Sequence, residues 1–177
     1  MREWEREDIP ALIEGLNNLE VARWLAVVPH PYTEQDAEKW LSYCRSLMRP
    51  EGTQTGYELA IELKSEGKVI GGVSLTRISF FHGTAGGGIW INAKYQGMGY
   101  GKEAFGEKIR FAFESLNLRR LENGFFKGND TSFAMQEQFG YKCEGERRQG
   151  FRCMADGEFK DECITGLLRE EWKHPLW

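Results

Sequence analysis

Apolar positions along this chain change period several times, and each change marks an element. Asp8 can cap a helix to about Leu16, and Asn17-Asn18 introduces a second through Val28, ended by Pro29 and Pro31. Thr33 with Asp36 makes a capping-box-like start for a helix to about Met48, with Ala37, Trp40, Leu41, Cys44, Leu47 and Met48 on one face. After a polar loop from Arg49 to Gly56 the period falls to two. Tyr57 to Leu63 alternates, residues 65–68 turn, and Val69 to Ser79 returns as a second strand. His82 to Gly87 is predicted as a turn into a short strand near Gly88–Asn92. A helical period then resumes, with Phe105, Ile109, Ala112, Phe113 and Leu116 on one buried face. Arg120 to Phe126 is predicted as a strand, and Asp130 or Thr131 caps a short helix ending at Gly140. Two strands follow, around Tyr141–Arg148 and Glu158–Leu168. The expected architecture is one α+β domain over residues 1–177, with a mixed, mostly antiparallel sheet and helices on both faces.

Between the apolar Ile89-Trp90-Ile91 and a helix beginning near Lys102 stands Gln96-Gly97-Met98-Gly99-Tyr100-Gly101. Glycines lack a Cβ, so the backbone can turn with several N–H groups outward, and a helix N-terminus adds partial positive charge. Those features suit a phosphate group. A P-loop needs Lys then Ser/Thr after its last glycine, whereas Gly101 is followed by Lys102-Glu103. The dinucleotide fingerprint needs a third glycine where Lys102 stands. A plain glycine-rich turn fits the same letters.

Composition narrows the class without choosing a function. A chain of 177 residues with 41% apolar residues suffices for one full core. The net charge of −4 and the lack of a long basic run argue against a nucleic-acid partner but not against a basic peptide or polyamine. No apolar stretch approaches membrane-spanning length, and the charged N-terminus, Met1-Arg2-Glu3-Trp4-Glu5-Arg6, does not suit a signal peptide. The cysteines at 44, 143, 153 and 163 show no zinc spacing and read as reduced residues of a cytoplasmic protein, with no metal site expected.

Gln96-x-x-Gly99-x-Gly101 resembles the pyrophosphate loop of the GNAT superfamily of acetyl-CoA-dependent N-acetyltransferases. Further matches stand in order. Pro31-Tyr32-Thr33 with Asp36-Ala37 and Trp40 resembles the second helix of the ribosomal-protein (RimJ/RimL-like) branch. Asn129-Asp130-Thr131-Ser132 followed by Phe139-Gly140-Tyr141 resembles that branch's Asn-x-x-Ser…Gly-Phe segment. Glu144-Gly145, Asp161 and Leu168 to Trp172 resemble its last two strands, so the likeness spans about Arg2 to Trp172.

The resemblance implies a GNAT-like fold and acetyl transfer from acetyl-CoA to a primary amine, foremost the α-amine of a peptide or protein. Gly97, Gly99 and Gly101, with the amides of Met98, Tyr100 and Lys102, would anchor the diphosphate, and Gln96 would be a neutral donor to it. An amide of Ile91 or Asn92, freed by a bulge, would polarise the thioester carbonyl. Asn129 would contact the pantetheine arm, and Ser132 would protonate the leaving thiolate. Two family features are missing: Gln136 stands where many relatives have a Tyr acid, and Ala85-Gly86-Gly87-Gly88 lacks a strand glutamate. Glu58, Glu62 and His82 are the other candidate bases. Small-amine (polyamine or aminoglycoside) acetylation and a non-catalytic acyl-CoA-binding module stay open, as does a homodimer built on the tryptophans of 172–177.

Overall fold

The computed structural model describes residues 1–47 and 53–174. Its sheet runs in the order β1 (Arg2–Glu3), β2 (Gly56–Leu63), β3 (Lys68–Ser79), β4 (Thr84–Gly86), β6 (Arg120–Phe126), β8 (Phe159–Leu168) and β7 (Lys142–Arg152). A further strand, β5 (Ile89–Ile91), pairs with β3 off this path. The β4–β6 pair is parallel and every other pair is antiparallel, as the mixed sheet anticipated. Residues 82–87 are therefore not simply a turn, because Thr84–Gly86 is a strand. The last hairpin also reaches further than expected, to Arg152, with register shifts along β7.

Alternation along β2 and β3 sends Leu59, Ile61, Val73 and Leu75 into two clusters under α4 (Tyr100–Arg110). Phe105, Ile109, Ala112 and Phe113 are buried there, the stripe expected from their spacing. The helix runs on as a π turn over Phe111–Ser115, with Leu116 N–H donating to Phe111 O. Trp172 packs on Phe113 at 5.6 Å, covering its own domain, while Trp177 lies outside the described residues.

A third cluster joins α1 (Ile9–Leu16) and α3 (Glu34–Ser46). Thr33 and Asp36 form the expected reciprocal cap of α3, and its expected end at Met48 falls outside the described residues. Asp8 does not cap α1 with its side chain; its carboxylate accepts from Glu5 N–H and binds Arg2 at 2.7 and 2.8 Å. The helix expected through Val28 is one turn, α2 (Leu19–Ala22), capped by Asn18. Trp24 and Leu25 N–H still turn back to Val21 O and Ala22 O, and Met154 N–H then donates to Ala26 O, so the chain is tied there to the loop after β7. No helix among the described residues is long and apolar enough to cross a membrane.

Candidate active site

The sheet splits at one residue. β4 pairs with β6 only at Thr84–Arg120 and Ala85–Leu121; beyond Gly87 the chain becomes β5, which pairs only with β3. Gly87 has φ 134°, and a Cβ there would run into Ser74 O. Only glycine is accommodated at this kink. The glycine run that lacks a glutamate is thus what opens the sheet. Asn123 on β6, buried, steadies the opening: with its amide turned as its neighbours require, its nitrogen donates to the carbonyls of Gly87 and Glu122. Trp90 pins β5, stacked on Trp4 at 6.4 Å and fitted against Gly15 and Gly72, where a Cβ would meet its ring.

The ladder decides which backbone groups face the split. Ser74 N–H donates to Gly88 O and Asn92 N–H to Ile70 O, so alternation directs the amides of Ile89 and Ile91 away from β3. Of the two amides the sequence offered, that of Asn92 is already committed to the sheet; its side chain accepts from Lys94 N–H. Ile91 keeps its N–H toward the opening, while its carbonyl accepts from Gln96 Nε2 at 2.9 Å. Gln96 therefore braces the strand end, a role its sequence position did not reveal.

Gly97 (φ 76°) and Gly99 (φ 89°) take left-handed backbone, and Gly99 is the N-cap of α4. The helix starts at Tyr100, two residues before the expected Lys102. Glu103 N–H donates to Gly99 O, and the first-turn amides of Tyr100 and Gly101 precede the first intrahelical donor. Gly101 sits in the helix proper, where a Cβ would touch Ile91 at 3.4 Å. Met98 stands exposed on the loop, and Tyr100 packs on the cluster below.

Across the split, α5 (Asp130–Gln138) is capped by Asn129, not by Asp130 or Thr131: Asn129 Oδ1 accepts from Ser132 N–H at 3.3 Å. Its side-chain nitrogen stays available as a donor. Ser132 Oγ accepts from Gln136 Nε2 at 3.2 Å, and Gln136 Oε1 accepts from Thr165 Oγ at 2.6 Å. Gln136 and Thr165 are fully buried, so this chain is fixed. With the Ser132 oxygen already accepting, its own proton is left to be given away. Gln136, standing where relatives carry tyrosine, orients the serine instead.

A cavity of about 760 Å³ lies over the split, reached from the α1–α3 side and lined by Trp24, Tyr32, Trp40, Phe125, Phe151 and the carboxyl of Glu58, among others. Glu58, Ser74 and Gly88 stand in one cross-strand row, and Gly88 N–H donates to Ser74 Oγ at 2.9 Å. Burial pushes the Glu58 carboxyl up to about 8, only partly offset by Lys108. Glu62, by contrast, is bound to Arg2 at 2.6 Å, and His82 sits in an exposed turn beside Phe81. Of the three candidate bases only Glu58 lines the cavity.

The acetyltransferase (GNAT) domain family matches residues 1–142 of this chain, and the chain belongs to that family. It is 28% identical over 176 residues to YdaF of Bacillus subtilis (strain 168), provisionally named a ribosomal N-acetyltransferase, covering 96% of this chain and 90% of that one. A crystal structure described as a probable acetyltransferase superposes with TM-score 0.83 at 27% identity, covering 97% of this chain and 93% of that chain. Spermidine N-acetyltransferase from Vibrio cholerae, in complex with CoA and spermine, superposes with TM-score 0.79 at 20% identity (96% and 95% covered), a likeness of fold alone. The protein is an acyltransferase of the GNAT class that uses acetyl-CoA.

Proposed function

We propose that this enzyme acetylates the α-amine of a peptide or protein. The observation that carries the reading is the sheet split at Gly87, with amides facing it, a glycine-turned helix start at one end and, in the cavity beside it, the Glu58 carboxyl, which has no ion pair among the described residues. The amides of Met98, Tyr100, Gly101 and Lys102 hold the diphosphate of acetyl-CoA, and the Asn129 amide donates to its pantetheine arm. The Ile91 amide donates to the thioester oxygen as it gains negative charge, an interaction of the kind worth about 3–4 kcal/mol of barrier. Glu58, as carboxylate, takes the amine proton through one water. The amine nitrogen bonds to the acetyl carbon, the carbon–sulfur bond breaks, and Ser132 gives its proton to the sulfur; solvent then returns a proton to Ser132 and takes the one held by Glu58.

An α-amine suits this base. Its pKa near 8 matches a carboxyl held at about 8, whereas a lysine amine near 10.4 is almost wholly protonated at neutral pH. At pH 7 that difference supplies about a hundredfold more neutral nucleophile. The test compares a lysine-containing peptide with its α-acetylated counterpart, following CoA release. The free-N-terminal peptide is expected to react; equal rates for the two would overturn the α-amine assignment.

A further inference from the structure

The cavity over the split has walls that specify more than an amine. Its aromatic lining, from Trp24, Tyr32, Trp40, Tyr43, Phe125 and Phe151, continues to an apolar mouth where Val27 is 74% and Met154 57% exposed. Besides Glu58, its ionisable walls are Asp36, Lys39 and Glu162. Asp36 accepts from Thr33 N–H and Oγ at 3.0 and 2.6 Å and lies 3.6 Å from Lys39 Nζ. Glu162 lies 2.9 Å from Arg147 Nη2. Each of these two carboxylates therefore has a cation of this chain beside it, although burial still raises the Glu162 carboxyl. Glu58 has no ion pair among the described residues. Glu58 is thus the cavity carboxyl that stands without an ion pair among the described residues, inside an apolar enclosure.

We infer that the acceptor is a peptide whose N-terminal residue carries a large aliphatic or aromatic side chain, its single ammonium facing Glu58 across one water and its side chain filling the aromatic chamber. This rests on the acetyl-transfer reading of the site. A buried cation needs a partner charge, so a polyamine would bring more ammonium groups than the walls have carboxyls without an ion pair. A cavity of about 760 Å³ leaves room for a large side chain beside the reacting groups.

The test is a CoA-release assay on the full chain with tetrapeptides differing only in the first residue (Phe, Leu, Ala or Ser), and with spermine. Phe and Leu peptides are expected to exceed Ala and Ser at least tenfold in kcat/KM, chiefly through KM, with spermine below all four. Val27→Glu places a carboxylate at the exposed mouth. With an unchanged circular dichroism spectrum, it should weaken the Phe preference and raise spermine turnover. If Ser-first peptides or spermine react as well as Phe-first ones, this inference falls while acetyl transfer stands. If no amine releases CoA, both fall.

Discussion

Glu58 offers the sharpest test of mechanism, because its environment sets a number. Burial with no cation in contact holds its carboxyl at about 8, so at pH 7 about one tenth is ionised. If the carboxylate is the working base, kcat/KM should climb about tenfold per pH unit below 8 and level off above it. The acceptor's own α-amine titrates in the same range and would mask this. The assay therefore uses an amine whose pKa lies well below 6, neutral throughout, with CoA release followed from pH 6 to 9.5. The wild-type profile should still bend near 8. Glu58→Gln should lower kcat/KM by roughly 10²–10⁴-fold at pH 8.5, the range a positioned base supplies, and flatten the profile. Stability gives an independent reading with a defined sign. The folded state holds the Glu58 proton between the ordinary 4.5 and about 8, so ionisation costs stability progressively as pH rises through that window. Glu58→Gln should thus be neutral below pH 4.5 and stabilising by on the order of a few kcal/mol above pH 8. A flat wild-type profile, or full activity in the variant, would refute the assignment.

Other expectations follow from neighbouring geometry. Ser132→Ala should lower kcat roughly ten- to a hundredfold with little change in acetyl-CoA affinity, because water partly replaces a lost acid; kcat within about twofold would reduce Ser132 to a helix-cap residue. Gln136→Leu should lower kcat in the same direction and cost about 1–3 kcal/mol in a denaturant titration, since the buried Thr165 hydroxyl loses its acceptor. Gly87→Ala should destabilise the fold and abolish activity, its Cβ being driven into Ser74 O at a φ of 134°; a thermal melt unchanged from wild type would contradict this. Lys108 is 4% exposed over the Phe105 ring at 4.1 Å, and burial draws its amine down to about 7. The folded state sheds that proton more readily than the unfolded, so Lys108→Met should stabilise most below pH 7 and not at all above about 10.5.

What the sequence made legible was local. Thr33 with Asp36, the alternation of β2 and β3, and the stripe from Phe105 to Phe113 each depend on near neighbours, and each formed as its spacing required. The segment after Asn18 misled because apolar Leu25, Val27 and Val28 serve a cavity and its mouth rather than a helical face. Of the neighbouring polar residues Asn129, Asp130 and Thr131, Asn129 is the one that caps α5. The site's remaining logic is long-range. That Asn92 N–H is spent on Ile70, that Gln96 braces Ile91, and that Gln136 is joined to Thr165, 29 residues on, are facts of register and packing with no signal in spacing. Glu58 looked like any glutamate of an alternating strand until the wall it faces was known.

The most direct measurement of the central claim is calorimetric titration of acetyl-CoA into the wild type and Gly99→Glu. Gly99 has a left-handed backbone and open space around the missing Cβ, so the substitution adds local strain and a negative charge at the mouth of the amide cluster without touching the core. The wild type should bind acetyl-CoA, and the variant should lose binding while keeping its far-UV circular dichroism. Equal affinity in the two proteins would contradict the placement of the diphosphate at the α4 N-terminus, and with it the mechanism built around the split sheet.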